Sequence, residues 1–149
     1  MMIFRRMEPK DLRAVAQLEQ LCFSEPWSEN AFRDALDKEC YRFYVAYDDE
    51  EHVGTVGMVV SYDEADITNV AVSESRRRGH IGGRLLKYAL QDAMSAGIMN
   101  FTLEVRTGNA AAISLYQKYG FVGDGIRPGF YSNPKEDALI MWRRNNREC

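Results

Sequence analysis

Residues 67–86 read Ile67-Thr68-Asn69-Val70-Ala71-Val72-Ser73-Glu74-Ser75-Arg76-Arg77-Arg78-Gly79-His80-Ile81-Gly82-Gly83-Arg84-Leu85-Leu86. A β-branched run leads into a basic, glycine-rich turn and then into a helix. Such a succession can seat a pyrophosphate. The first N–H groups of a helix have no intrahelical partner, and the helix dipole adds partial positive charge at the same end. Glycines admit unusual φ values and let a ligand approach the backbone. On its own the turn reads equally well as a solvated basic loop. A Rossmann reading fails on spacing, because Gly79, Gly82 and Gly83 do not form G-x-G-x-x-G. A P-loop reading fails because no Gly-Lys-Ser/Thr ends the turn.

Beyond the turn, Leu85, Leu86, Ala89, Leu90 and Ala93 recur at helical spacing. They predict a helix from about Gly82 to Ser95, with Gly97 as its C′ residue. Phe101–Val105 is a strand, so strand, helix and strand make a right-handed parallel crossover. Upstream, Tyr41–Tyr47, His52–Tyr62 and Ala65–Val72 form an antiparallel meander around the charged turn Asp48-Asp49-Glu50-Glu51. Ile3–Met7 is a first short strand. Leu12, Val15, Leu18 and Cys22 define a helix over 12–23 with Asp11 as N-cap and Cys22 as a small core residue. Ser28 caps a second helix through about Leu36. Downstream, a helix over 109–119 starts at Asn109 and stops at Gly120. Phe121–Phe130 and Ala138–Arg143 close the sheet. The expectation is an α/β (α+β) fold: a mixed, mostly antiparallel sheet of about seven strands, one parallel βαβ crossover and flanking helices.

The totals agree with one domain over 1–149. The chain is 46% hydrophobic and 28% charged, enough apolar material for a core and no sign of disorder. A net charge of −3 argues against a general polyanion binder, although basic residues cluster at Arg76–Arg78 and at Arg143, Arg144 and Arg147. Cys22, Cys40 and Cys149 are an odd count without metal-ligand spacing, which argues against a disulfide scaffold or a metal site. No apolar run follows Arg5 and Arg6, so no signal peptide is expected, and no segment approaches a membrane span. A cytoplasmic protein follows as the expectation.

Two further stretches can carry chemistry. In Leu103-Glu104-Val105-Arg106 the strand period puts Glu104 and Arg106 on one face. A carboxylate at the open end of a crossover can act as a general base, and a Glu104–Arg106 surface pair is the plainer alternative. In Asn109-Ala110-Ala111-Ala112-Ile113-Ser114-Leu115-Tyr116, Tyr116 falls on the inner face. There a phenol is either core or a proton donor.

Taken together, the strand, the Arg-x-x-x-x-Gly turn, the helix and the later Asn…Leu-Tyr…Gly-Phe pattern resemble the GNAT superfamily of acetyl-CoA-dependent N-acetyltransferases. The superfamily's Gln/Arg-x-x-Gly-x-Gly/Ala stands here as Arg77-Arg78-Gly79-His80-Ile81-Gly82. His80 therefore occupies a glycine position and must accept a Cβ there. Pro26-Trp27-Ser28, Asn69-Val70-Ala71-Val72, Leu103-Glu104-Val105-Arg106, Asn109-Ala110-Ala111-Ala112-Ile113 and Glu136-Asp137-Ala138 narrow the resemblance to the bacterial ribosomal-protein-alanine N-acetyltransferases. It covers nearly the whole chain.

The resemblance implies the GNAT fold and acetyl-CoA as cosubstrate, with no metal. Backbone groups of Val70, Ala71 and Val72 would hold the acetyl and pantetheine end. Arg78, Gly79, His80, Ile81, Gly82 and Gly83 would wrap the pyrophosphate, and Asn109 would contact the pantetheine arm. Glu104 matches the family's general base and Tyr116 its general acid. Trp27 and Tyr131 fall on the acceptor side, where the family's Arg-x-x-Tyr-Tyr reads Arg127-Pro128-Gly129-Phe130-Tyr131. The implied acceptor is a peptide or protein N-terminus, in particular an alanine-terminated ribosomal protein, with no nucleic-acid or membrane partner. Three rivals remain open at this level: a GNAT enzyme with a lysine, polyamine or other small-amine acceptor, a non-catalytic acetyl-CoA-binding module, and an RNA-binding module built on Arg76–Arg78.

Overall fold

The computed structural model describes residues 1–77 and 79–145. Arg78, Arg147 and Cys149 lie outside the described residues. The elements follow in the order β1 (Met2–Arg6), α1 (Leu12–Cys22), α2 (Glu29–Leu36), β2 (Tyr41–Asp48), β3 (Glu51–Ser61), β4 (Glu64–Val72), α3 (Ile81–Ser95), β5 (Asn100–Arg106), α4 (Ala110–Lys118), β6 (Val122–Tyr131) and β7 (Glu136–Arg144). All seven strands join one sheet in the order β1-β2-β3-β4-β5-β7-β6. Only β4 and β5 run parallel; every other neighbouring pair is antiparallel. This is the mixed sheet with one crossover that the periodicity predicts.

Two apolar faces bury the sheet. On one side α3 and α4 lay Leu85, Leu86, Ala89, Leu90 and Tyr116 on Val56, Met58, Ile67, Phe101, Leu103 and Met141. On the other, α1 and α2 pack Leu12, Val15, Ala16 and Phe32 against Phe43 and Val45. Helix ends follow the expected chemistry. Ser28 accepts the Ala31 N–H at 3.1 Å, and Asn109 accepts the Ala112 N–H at 3.2 Å. Gly97 and Gly120 take φ values of +98° and +94°, where a side chain would be strained.

Two local expectations are corrected. Asp11 precedes α1, but its side chain does not cap it. The carboxylate instead closes a 3-10 turn by accepting the Glu8 N–H at 2.8 Å. It also takes both arms of the Arg5 guanidinium, at 2.7 and 2.9 Å, and the Tyr47 hydroxyl at 2.7 Å. A bidentate guanidinium outcompetes a helix N–H for the same oxygens. Cys22 is only half-buried, not core. It ends α1 beyond the packed face, with its thiol 3.6 Å from the Val72 carbonyl oxygen.

A bulge in β4 redirects its side chains. Gly57 of β3 pairs with Asn69, while the next residue, Met58, pairs with Ile67, so Thr68 is extra. The inserted residue reverses which face the next side chain meets. Ile67 enters the α3 core, whereas the Asn69 amide donates to Glu19 of α1 at 3.1 Å. Gly57 is required here: a Cβ would lie 2.6 Å from the Phe43 ring and 2.9 Å from Asn69 Oδ1.

Candidate active site

The parallel pairing of β4 and β5 is short. It joins Glu64, Ala65 and Asp66 to Asn100, Phe101 and Thr102 and then stops. Beyond it β4 keeps its ladder with β3 through Val72, and β5 keeps its ladder with β7 through Arg106. The strands therefore diverge. Among the described residues the inner edge of Asn69–Val72 has no strand partner. With the Ser73 N–H bonded to the Val53 carbonyl, alternation turns the N–H and C=O of Val70 and Val72 toward the wedge, while Ala71 faces Thr55 of β3. The Val72 carbonyl is met there by side chains: Arg77 Nε donates to it at 3.3 Å. A cavity of about 440 Å³ next to it is bounded by Leu18, Leu21, Cys22, Ser73, Glu74, Ser75 and Arg77.

The turn then delivers α3 to the wedge. His80 takes φ +61° and ψ 16°, the left-handed conformation that a glycine supplies without strain. For a residue with a Cβ it costs roughly 1–2 kcal/mol. The turn thus keeps its left-handed step despite the substitution of the motif glycine. His80 makes no side-chain cap and the first turn of α3 carries no acidic residue, so among the described residues no anion of the turn itself competes for the leading N–H groups of Ile81, Gly82 and Gly83. The glycines differ in purpose. A Cβ on Gly82 would lie 3.2 Å from Val72 Cγ2, at the edge of the wedge, whereas one on Gly83 would lie 2.7 Å from the hydroxyl of Tyr119, which follows α4. Gly79 has room for a Cβ. Arg76 is tied to the β2–β3 hairpin by Asp48 at 2.6 Å and Glu51 at 2.9 Å, which takes it away from any anion at α3.

Across the wedge, Glu104 has an 18% exposed side chain and faces Arg127 of β6 at 3.5 Å. The expected Glu104–Arg106 pair does not form. Arg106 instead binds Glu136 at 3.2 Å and the carbonyls of Pro134 at 2.8 Å and Ser132 at 3.1 Å. Its guanidinium also covers the Tyr131 ring at 4.4 Å. Arg106 thereby anchors the β6–β7 loop and the Tyr131 that ends β6. Burial, followed by the negative charge of Glu104, raises the Tyr131 phenol above its ordinary pKa. Tyr116 is 8% exposed against Phe121. Burial, with a smaller contribution from Tyr131, pushes its phenol far up, so the proton stays on oxygen at neutral pH. Tyr131 thus lies within charge influence of both Glu104 and Tyr116. Asn109 sits at the head of α4 with its amide oxygen committed to the cap.

Trp27 is more structural than expected. Its ring packs on Phe32, Tyr41 and Phe43 at 5.2–6.0 Å, and the cavity it borders runs along α2 to Lys38, not into the wedge. The Trp27 backbone N–H donates to Glu19 at 3.4 Å. Glu19 is 3% exposed and also receives the Asn69 amide. Burial raises its pKa. The pair ties the 24–28 loop to the β4 bulge. Sequence reasoning missed Glu19, Asn69 as a side chain, Arg127 and Asp66. For Asp66 a signal existed: it is a lone charge inside the strand Ala65–Val72. Among the described residues no three His, Cys, Asp or Glu side chains group as a metal site.

The chain belongs to the Acetyltransferase (GNAT) family, matched over residues 12–121, and is an N-acetyltransferase of the acyltransferase class. It is 34% identical over 137 residues to the ribosomal protein bS18-alanine N-acetyltransferase of Escherichia coli (strain K12), covering 91% of this chain and 92% of the relative. It is 33% identical over 139 residues to the putative ribosomal protein bS18-alanine N-acetyltransferase of Bacillus subtilis (strain 168), covering 93% and 92%. The crystal structure of the ribosomal-protein-S18-alanine N-acetyltransferase from Escherichia coli matches with a TM-score of 0.91 at 31% identity, over 100% of this chain and 97% of that one.

Proposed function

We propose that this chain, acting as one domain in the cytoplasm, transfers the acetyl group of acetyl-CoA to the N-terminal α-amine of a protein. An alanine-terminated ribosomal protein is the acceptor its relatives' names suggest. The observation that carries the reading is the wedge: backbone groups of Val70 and Val72 without a ladder partner on the β5 side of one wall, Glu104 on the other, and the uncapped α3 start at its mouth. Pyrophosphate oxygens would take the N–H groups of residues 79–83, with Arg78 adding charge. A backbone N–H of Val70–Val72 would stabilise the oxyanion. The amine attacks the thioester directly, Glu104 accepts a proton from the attacking nitrogen, and Tyr116 gives its proton to the departing thiolate. Asn109 would steady the pantetheine arm through the amide group its cap leaves free. Tyr131, and Trp27 through the loop it holds, would border the acceptor.

Two measurements test this. Acetyl-CoA should raise Tm in a concentration-dependent way, since a ligand of the native state at about 100 Kd adds about 2.7 kcal/mol. Transfer should then favour peptides with a free N-terminal alanine over lysine side chains, polyamines and RNA-derived ligands. A Tm shift without transfer to any amine would leave only a binding module. Tyr116→Phe should lower kcat with acetyl-CoA affinity unchanged. The fall should sit near the low end of the about 10²–10⁴-fold range for positioned acids, because a thiolate of pKa about 8.5 is already a good leaving group.

A further inference from the structure

The wedge contains a carboxylate that the acetyl-transfer steps leave unused. Asp66 is the last β4 residue paired with β5, opposite Thr102, at the vertex where the strands part. Its neighbours in the ladder, Ala65 and Phe101, enter the α3 core. Asp66 and Thr102 therefore face the opposite side, and Glu104 follows on that side two residues, or about 7 Å, further along β5. Asp66 is half-buried. Its Oδ1 is covered and, among the described residues, has no hydrogen-bond partner, and the side chain makes no ion pair. A carboxylate with one covered, unpartnered oxygen costs the fold stability and adds none. A position at the vertex beside Glu104, unsatisfied by the protein, suits a cation supplied by substrate.

The reaction itself calls for a second acceptor of protons. An α-amine with a pKa of about 7.7–8.0 reaches the site mainly as an ammonium at neutral pH. Its nitrogen must lose two protons before it becomes an amide, one to become nucleophilic and one after attack. Resting on the acetyl-transfer reading, we propose that Asp66 receives the acceptor ammonium and takes the first of these protons, while Glu104 takes the second. The first step is R–NH3⁺ plus the Asp66 carboxylate giving R–NH2 plus the Asp66 carboxylic acid. The neutral amine then attacks the thioester carbonyl, the C–S bond breaks, and the thiolate leaves with the proton of Tyr116.

Magnitudes favour Asp66 for the first step. Burial, and next the negative charge of Glu104, lift its pKa to about 6, with Arg127 pulling the other way. Those are the charged groups facing it: Glu104 from β5 and Arg127 from β6. An ordinary aspartate near 3.9 would take a proton from the amine against a gap of about four pKa units. At about 6 the gap is roughly half that, close to the condition for an efficient base near neutral pH.

The test compares two acceptors with Asp66→Asn, which keeps the shape. One is a peptide with N-terminal alanine. The other carries a fluorinated alanine whose amine is already neutral at pH 7. Asp66→Asn is expected to cut kcat/KM about 100-fold for the first and far less for the second, with acetyl-CoA binding unchanged. The wild-type activity on the alanine peptide should fall below about pH 6 as Asp66 protonates, and this limb should vanish in the variant. The variant's Tm should not drop, because no native contact is lost; Asp66→Thr provides a second uncharged form of the same strand. Equal losses for both acceptors, or no loss, would overturn the assignment of Asp66 while leaving the acetyl-transfer reading standing. A wild-type enzyme that acetylates neither peptide would overturn both together.

Discussion

Glu104→Gln is expected to lower kcat for a peptide α-amine by about 10²–10⁴-fold, the range for loss of a positioned general base. The amide keeps the size of the side chain and its reach toward Arg127, so the ladder between β5 and β7 should be undisturbed. Residual activity should climb with pH as solvent base takes over removal of the proton that the nitrogen loses after attack. Acetyl-CoA should bind the variant as it binds the wild type, because the proposed pyrophosphate seat lies at the start of α3, away from Glu104 on β5. Steady-state kinetics from pH 6 to 9, with a thermal shift for acetyl-CoA, check all three. A variant with wild-type kcat would take Glu104 out of the base role.

Asp11→Ala is expected to be the most damaging substitution for stability, by about 3 kcal/mol. Asp11 is 1% exposed and gathers Arg5, the Glu8 N–H and Tyr47. Removing one member of a buried pair strands the other and costs about 3–5 kcal/mol. Arg5 is 27% exposed and can partly rehydrate, which places this case at the low end. For a chain of this length the drop in Tm should be on the order of 10 °C. The pH dependence is set by the direction of the shift. Burial works to raise the Asp11 carboxyl, but the hydrogen bonds from Arg5, Glu8 and Tyr47 prevail and hold it below its ordinary value. A depressed carboxylate stabilises above the unfolded pKa, about 3.9, and loses that contribution as pH falls through the folded value. The gap between wild type and variant should therefore be constant near neutrality and shrink in acid. Denaturant titrations at pH 7 and pH 3 measure it.

Most of the architecture is legible along the chain because it rests on local periodicity. The crossover, the meander, the two glycine stops and the caps at Ser28 and Asn109 all stand where spacing puts them. The candidate site is legible in part. Tyr116 points inward because a helix repeats every 3.6 residues, and it does. Glu104 and Arg106 share a face because a strand repeats every two, yet they do not pair. Alternation assigns a face but not a partner: Arg127 approaches from a strand two places away in the sheet, across Ala138 of β7. Asp11 shows the same limit. Its position before a helix is local information, but the guanidinium that claims it comes from β1.

Residues 67–86 by themselves determined that a strand would run through a basic turn into a helix, and hence that an anion could be met there. The left-handed step at His80 was needed by that turn whatever occupied it. Only the tertiary structure decided that β4 and β5 pair for three residues and then part, that Thr68 bulges, and that Asp66 is left without a partner at the vertex. The physical reason is that hydrogen-bond register, strand divergence and desolvation belong to pairs of elements distant in sequence. Period and capping belong to one element, and a linear chain states only those.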